Sequence, residues 1–357
     1  MTALKEKLVR QIGLTGPMSV ADYFAACLFD PEHGYYVTRE PFGVRGDFTT
    51  APEVSQMFGE LVAAWAFSNW QAMGAPDRFV FAEIGPGRGT MMADMLRVLA
   101  RLQGGAMMAA AHVHLVEASP RLRAVQQDRL RDAPASLTWV ERIEDLPALP
   151  LIIVGNELFD AIPIRQYVKA GGQWRERMIG LVDGSLAFLA GAIPADPGLL
   201  PPDAAGAPDG AIAEIAPQRA ALMDTIAAHL AGYGGAGLFP DYGYGQPACG
   251  DTLQAVKGHR PDPVLDHPGT ADLTAHVDFA ALARVAQGHG LAARLADQGD
   301  FLLRLGLLER AGSLGAGKSE AQQDAIREAV ERLAGPEQMG KLFKVLGIGG
   351  KGLLQMA

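Results

Sequence analysis

Three short runs in this 357-residue chain put acids, an amide and glycines at places where the backbone must turn. The first is Glu83-x-Gly85-x-Gly87-x-Gly89, between the β-prone segment Phe79 to Ile84 and a helix signalled by Met91, Met92, Met95, Leu96 and Leu99 at three-and-four spacing. Glycine lacks a Cβ, so these positions accept positive φ or the close approach of a ligand, and the helix start offers free N–H groups. A nucleotide-like cofactor suits such a turn. A dinucleotide fold wants its third glycine at position 90, which here is Thr90. The second run is HVHLVE, residues 112 to 117, a strand that ends on Glu117. In a doubly wound sheet that carboxylate sits beside the glycine strand and accepts both hydroxyls of a ribose. The third is Gly155-Asn-Glu-Leu-Phe-Asp160, which follows the apolar strand Leu151 to Val154, and it puts Asn156, Glu157 and Asp160 at the carboxyl end of a central strand. Each has a plainer reading as well: an unliganded turn, a cap for the helix that starts at Ser119-Pro120, and a capped short turn.

The elements that must position these residues form an α/β pattern. Helices are expected over 2–12 and 19–29, followed by an aromatic-rich loop over 30–50 that packs on the cofactor side. Thr50-Ala-Pro-Glu53 reads as a capping box for a helix of about twenty residues with Val54, Met57, Phe58, Leu61, Val62 and Trp65 along its buried stripe. Further strands are expected over 137–140, 237–242, 291–296 and 342–348. Residues 164–190 read as an antiparallel meander with a hairpin at Asp183-Gly184, 191–210 as an extended connection, 212–230 as a helix and 246–277 as a loop. Helices over 277–290, 300–311 and 319–333 complete the chain.

Composition narrows the function. Hydrophobic residues make up 49% and charged residues 20%, and no apolar run is long enough to span a bilayer, so membrane insertion is not expected. The formal net charge of -9 argues against nucleic acid as a partner. Cys27 and Cys249 form no zinc or disulfide pattern, and His259, His267 and His276 match no ligand spacing, so no metal is assigned. The first twenty residues lack the features of a signal or transit peptide, and a cytoplasmic address is expected by default.

The glycine run resembles the first motif of class I S-adenosylmethionine (SAM) methyltransferases. Taken with GYY at 34–36, GDFTTAPEVSQMFGE at 46–60, EIGPGRGT at 83–90, VEASPRLR at 116–123, GNELFDAIP at 155–163, DYGY at 241–244 and FKVL at 343–346, the chain resembles the MidA-like family of SAM-dependent methyltransferases almost end to end. The resemblance implies a Rossmann-like seven-stranded fold with N-terminal helices and an inserted substrate-side subdomain. It divides the chain into 1–75, 76–163, 164–235 and 236–357. It implies SAM as cofactor, held at Glu83, Gly85, Gly87, Gly89 and Glu117, with Asn156, Glu157 and Asp160 beside the transferred methyl. Arg142 stands where many such enzymes carry an Asp for the adenine amino group, so the adenine contact falls to backbone near Ile143. The activity implied is protein arginine N-methylation, with Glu157 and Asp160 forking the guanidinium and an NADH dehydrogenase subunit as the protein substrate the family offers. A non-catalytic assembly protein that keeps the fold is the alternative. A nucleotide-dependent oxidoreductase lacks its glycine register.

Overall fold

The computed structural model describes residues 2–38, 50–350 and 352. The chain divides into two compact units, and each is assembled from separate stretches of sequence. One comprises Met1–Phe48, Phe159–Ala221 and Gln246–Asp278; the other comprises Thr49–Leu158, Leu222–Gly245 and Phe279–Ala357. The division expected from sequence draws its lines instead after residues 75, 163 and 235.

Among the described residues the larger unit contributes seven strands to one sheet: β1 (Phe79–Ile84), β2 (Ala111–Val116), β3 (Leu137–Val140), β4 (Leu151–Val154), β5 (Gly235–Tyr244), β6 (Ala292–Asp297) and β7 (Phe343–Gly349). Their spatial order is β6-β7-β5-β4-β1-β2-β3. The pairings from β5 through β3 are parallel, while β7 runs antiparallel to both of its neighbours. This is the Rossmann-like seven-stranded fold. β1 and β4 are buried along their whole length, as strands covered on both faces must be, and this is why they read as unbroken apolar runs.

The helix expected to run for about twenty residues from Thr50 is broken. Ala51–Val54 forms one turn, Ser55 takes extended backbone, and Gln56–Ala72 begins afresh with the Ser55 side chain accepting from Met57 N. Thr50 makes no side-chain cap, and Glu53 does not reach back to it; Glu53 Oε1 accepts from Thr90 Oγ1 instead. The short-range capping signal therefore lost to a tertiary contact with the glycine turn. Glu60 is the buried charge of this layer, 4% exposed, and it accepts from Arg97 Nη1 at 2.9 Å and Arg310 Nε at 2.5 Å.

The smaller unit packs the helices Ala3–Thr15 and Val20–Phe29 with an antiparallel meander, Arg165–Ala170, Gln173–Val182 and Ser185–Pro194, around a core that includes Tyr23, Phe24, Leu28 and Ile179. Two expectations are corrected here. Ile212–Ile215 is a strand paired with Arg165–Ala170, and the helix starts only at Pro217, because a four-residue apolar run with one polar member fits either period. The 246–277 loop contains a three-stranded sheet, Gln254–Lys257, Arg260–Asp262 and Asp272–Thr274. Its tight turn uses Gly258 and His259 at φ of 59° and 60°, a two-residue hairpin signal among many glycines. The aromatic loop expected over 30–50 lies outside the described residues from 39 to 49.

Burial opposes ionisation of Glu60, but the hydrogen bonds from Arg310 and Arg97 outweigh it and hold the carboxyl below its usual range. A depressed acid gives stability that is present above the unfolded value, about 4.3, and lost as pH falls through the folded one. Glu60→Gln is expected to lower stability by about 2 kcal/mol at pH 7, the scale of charged hydrogen bonds to half-exposed partners. The deficit should shrink toward pH 3; denaturant unfolding at the two pH values checks it, and a pH-independent deficit would remove the charge from the explanation.

Candidate functional site

The register aligns the chemistry. Ile84 pairs with Val116, Glu83 with Val154, and Val154 with Leu238, so the residues that follow β1, β2 and β4 leave the sheet side by side. These are the glycine turn, Glu117, and Gly155-Asn156-Glu157. Seven of the eight residues singled out from sequence therefore share the carboxyl edge of one sheet. Asp160 falls in the smaller unit, beyond the boundary after Leu158.

Gly85, Gly87 and Gly89 all adopt positive φ, at 64°, 53° and 77°, a backbone that side chains other than glycine rarely tolerate. Gly89 N donates to Pro86 O at 2.7 Å and starts the helix Thr90–Leu99 from left-handed backbone. Glu83, 3% exposed, accepts from the Met92 N–H, a donor in the first turn of that helix. Its other oxygen, Oε2, is buried with no partner among the described residues. Burial pushes the Glu83 carboxyl well above its usual range, and the Met92 bond offsets this only in part.

Glu117 is held at the end of β2. Its Oε1 accepts from Ser119 N at 2.8 Å and its Oε2 from Gln126 Nε2 at 3.1 Å, and burial raises its carboxyl above the ordinary value. The helix-cap reading thus describes one of its oxygens. A carboxylate has about four acceptor sites, so acceptor capacity for hydroxyls is left.

Gln126 was not foreseen from sequence. It is fully buried, donates through Nε2 to Gly87 O at 2.8 Å as well as to Glu117, and accepts from Trp139 Nε1 at 2.9 Å. The signal was available: Leu122, Gln126 and Leu130 recur at four-residue spacing, which puts a polar side chain on an apolar stripe. Arg142 is 69% exposed in its side chain and paired with Glu144, while the neighbouring Ile143 is buried.

On the other side of β1, Glu157 takes φ of 48°, a strained conformation for a residue with a side chain. Its N donates to Pro240 O at 2.9 Å, and its Oε1 accepts from Ala51 N at 3.2 Å and Asn156 Nδ2 at 3.0 Å. Asn156 Oδ1 is buried with no partner among the described residues. In the smaller unit Asp160 is buried, with Oδ1 accepting from Ala161 N at 2.8 Å. Its carbonyl accepts from Arg219, a buried guanidinium that also donates to the carbonyls of Ile162, Ala275 and His276. Arg219 is a second residue that sequence reasoning passed over; an arginine in a helix reads as surface until its depth is known. No group of three or more metal-binding side chains occurs among the described residues.

The edge therefore offers backbone that a ligand can approach closely and a surplus of acceptors: Glu83 Oε2, Asn156 Oδ1 and the open sites on Glu117. A ligand with ammonium, amide or hydroxyl donors satisfies them, and SAM carries an ammonium and a ribose diol. The residues present fit it.

Comparison with known proteins agrees. Residues 61–296 match a family model described as "Putative S-adenosyl-L-methionine-dependent methyltransferase". "Protein arginine methyltransferase NDUFAF7, mitochondrial" of Danio rerio is 32% identical over 97% of this chain and 86% of its own length. The Drosophila melanogaster homolog of that name is 34% identical over 96% of this chain and 84% of its length. A protein from Burkholderia thailandensis, solved with S-adenosyl-homocysteine bound, superposes with a TM-score of 0.85 at 29% identity, covering 99% of this chain and 92% of the other. These curated relatives are named mitochondrial, which overturns the cytoplasmic address expected from the first twenty residues; that expectation rested on missing leader features alone.

A carboxyl whose folded value is raised costs the folded state when it ionises: the contribution is intact below the unfolded value of about 4.3 and is lost as pH rises toward the folded one. Glu83→Gln is therefore expected to melt higher than wild type at pH 8 without ligand, with the two curves converging at about pH 4 and below. Thermal melts across that range test it; parallel curves would mean that Glu83 carries no buried charge.

Proposed function

The chain belongs to this family of SAM-dependent methyltransferases, and from that premise we propose that it is a protein arginine N-methyltransferase. The observation that carries the choice of arginine is the match over nearly the whole chain to relatives named for that activity. We assign the cofactor to Glu83, Gly85, Gly87, Gly89 and Glu117, and the methyl acceptor to Asn156 and Glu157, with Asp160 as the second carboxylate. The four-part division of the chain and a protein substrate from the respiratory NADH dehydrogenase stand as parts of the same proposal. The relatives' mitochondrial names and their arginine chemistry support the latter.

When bound, SAM supplies a methyl group on a positively charged sulfur. The chain's task is to hold and orient. Glu117 accepts from the ribose hydroxyls while Gln126 keeps its carboxylate turned toward the glycine turn. Positive φ at Gly85, Gly87 and Gly89 lets the backbone approach the methionine portion. A guanidinium delocalises its lone pairs and attacks poorly, so acceptors at its N–H groups localise one lone pair on the attacking nitrogen. With SAM bound, these acceptors would hold that nitrogen ready for the methyl group that SAM supplies. The methylated guanidinium then sheds a proton, for which Glu157, Asp160 and the Tyr242 and Tyr244 region are the candidate acceptors.

S-adenosyl-homocysteine is expected to bind with micromolar affinity while NAD does not, and Glu117→Gln should weaken the former by about tenfold or more without unfolding the protein, the scale of a lost charged hydrogen bond. Calorimetry reads both, and NAD binding tighter than S-adenosyl-homocysteine would reject the cofactor assignment. For the substrate, a lysate from a deletion strain is incubated with the purified protein and tritiated SAM, and labelled residues are identified by mass spectrometry. Label on lysine or glutamine rather than arginine would reject the arginine reading and keep the methyltransferase.

A further inference from the structure

Resting on the methyltransferase reading above, we infer that Asn156 Oδ1 is the hydrogen-bond acceptor for the group at the methyl-transfer position, and that Glu157 is the positioning residue that keeps this oxygen aimed there. The main chain sets the place. Asn156 lies two residues beyond Val154, which pairs with Glu83 on β1, so it leaves the sheet beside the glycine turn. Gly155 lets the chain lie tight against the end of β1: a Cβ there would stand 3.0 Å from Ile84 Cγ2 and 3.0 Å from Leu158 Cδ2.

The orientation of the amide follows from hydrogen-bond chemistry. A carboxylate only accepts, so the Asn156 group 3.0 Å from Glu157 Oε1 is Nδ2, and turning the amide over would bring two acceptor oxygens together. Glu157 Oε1 is itself held by Ala51 N, and the Glu157 backbone is held at φ of 48° by its bond to Pro240 O. Strain of this kind persists only where the surroundings impose it. What remains of Asn156 is Oδ1, buried and unpartnered among the described residues. Such an acceptor costs stability until a donor arrives. An N–H on the nitrogen about to be methylated is such a donor, and accepting it turns that nitrogen's lone pair away from the amide. This makes Asn156 the catalytic residue. It recasts Glu157 from a member of a guanidinium fork into the residue that orients Asn156.

The test needs no protein substrate. Sinefungin is a SAM analogue whose charged amine stands where the sulfonium methyl stands; S-adenosyl-homocysteine has nothing there and shares the ammonium, ribose and adenine. Calorimetry with both ligands on Asn156→Ala should show sinefungin weakened about tenfold or more and S-adenosyl-homocysteine within about twofold, as expected when one charged hydrogen bond is lost. Glu157→Gln, which is isosteric and lets the Asn156 amide turn over, should shift the ratio of the two affinities in the same direction, a change that loss of fold stability alone does not produce. Parallel weakening of both ligands would place Asn156 on the shared part of the cofactor and overturn the inference. Unchanged affinities in both variants would overturn it as well. If wild type binds S-adenosyl-homocysteine and only the ratio fails to move, the methyltransferase reading stands and this inference falls; if wild type binds neither, both fall.

Discussion

A side-chain amide with no access to water has to place every donor and acceptor it owns, and Gln126 does so by tying together three parts of the chain: the carbonyl of Gly87, the carboxylate of Glu117 and the indole of Trp139. The three glycines of the turn have no side chains with which to fix their own backbone, so its geometry is set in part from outside. Glu117 in turn cannot swing into solvent while Gln126 and Ser119 N hold its two oxygens. Replacing such a hub by an apolar residue would strand a carbonyl, a carboxylate oxygen and an indole N–H together, each at the cost of an unmade buried hydrogen bond. This edge of the sheet is thus organised by the protein's own hydrogen bonds.

Much of this was legible in the amino-acid order because local signals and global fold agreed. β1, β2, β3 and β4 fall within a residue of their expected bounds, since buried parallel strands are short, apolar and bracketed by glycine or proline. Glu117, Asn156 and Glu157 could be placed at the sheet's carboxyl edge because a strand's end is a position that can be counted. What failed was whatever depended on a partner far away in sequence. Thr50 to Glu53 has the letters of a capping box, yet Glu53 bonds to Thr90, 37 residues on. Gln126 and Arg219 look like surface residues of helices until the groups around them are known. Ile212–Ile215 reads equally well as helix or strand, and only its pairing with Arg165–Ala170 decides.

The two carboxylates that the chain's spacing seemed to join are handled differently by the fold. Glu157 is anchored through Ala51 N and Asn156 to the layer above the main sheet. The main chain at Asp160 is clamped by Arg219, whose guanidinium gathers four carbonyls from two stretches of the smaller unit. A buried cation that donates to four carbonyls organises the backbone of the turn that carries Asp160.

The place of β7 has a consequence for how the protein is made. β7 lies between β5 and β6 and is antiparallel to both, and it follows both in the chain. During synthesis β5 emerges with one edge open, and β6 emerges with no strand in this sheet to pair with. The slot between them is filled only when the last strand leaves the ribosome. Until then the nascent chain carries an unpaired edge of the kind that recruits foreign strands. The sheet is therefore sealed only once β7 is made, and a chain cut short after β6 keeps β5 and β6 without the strand that joins them.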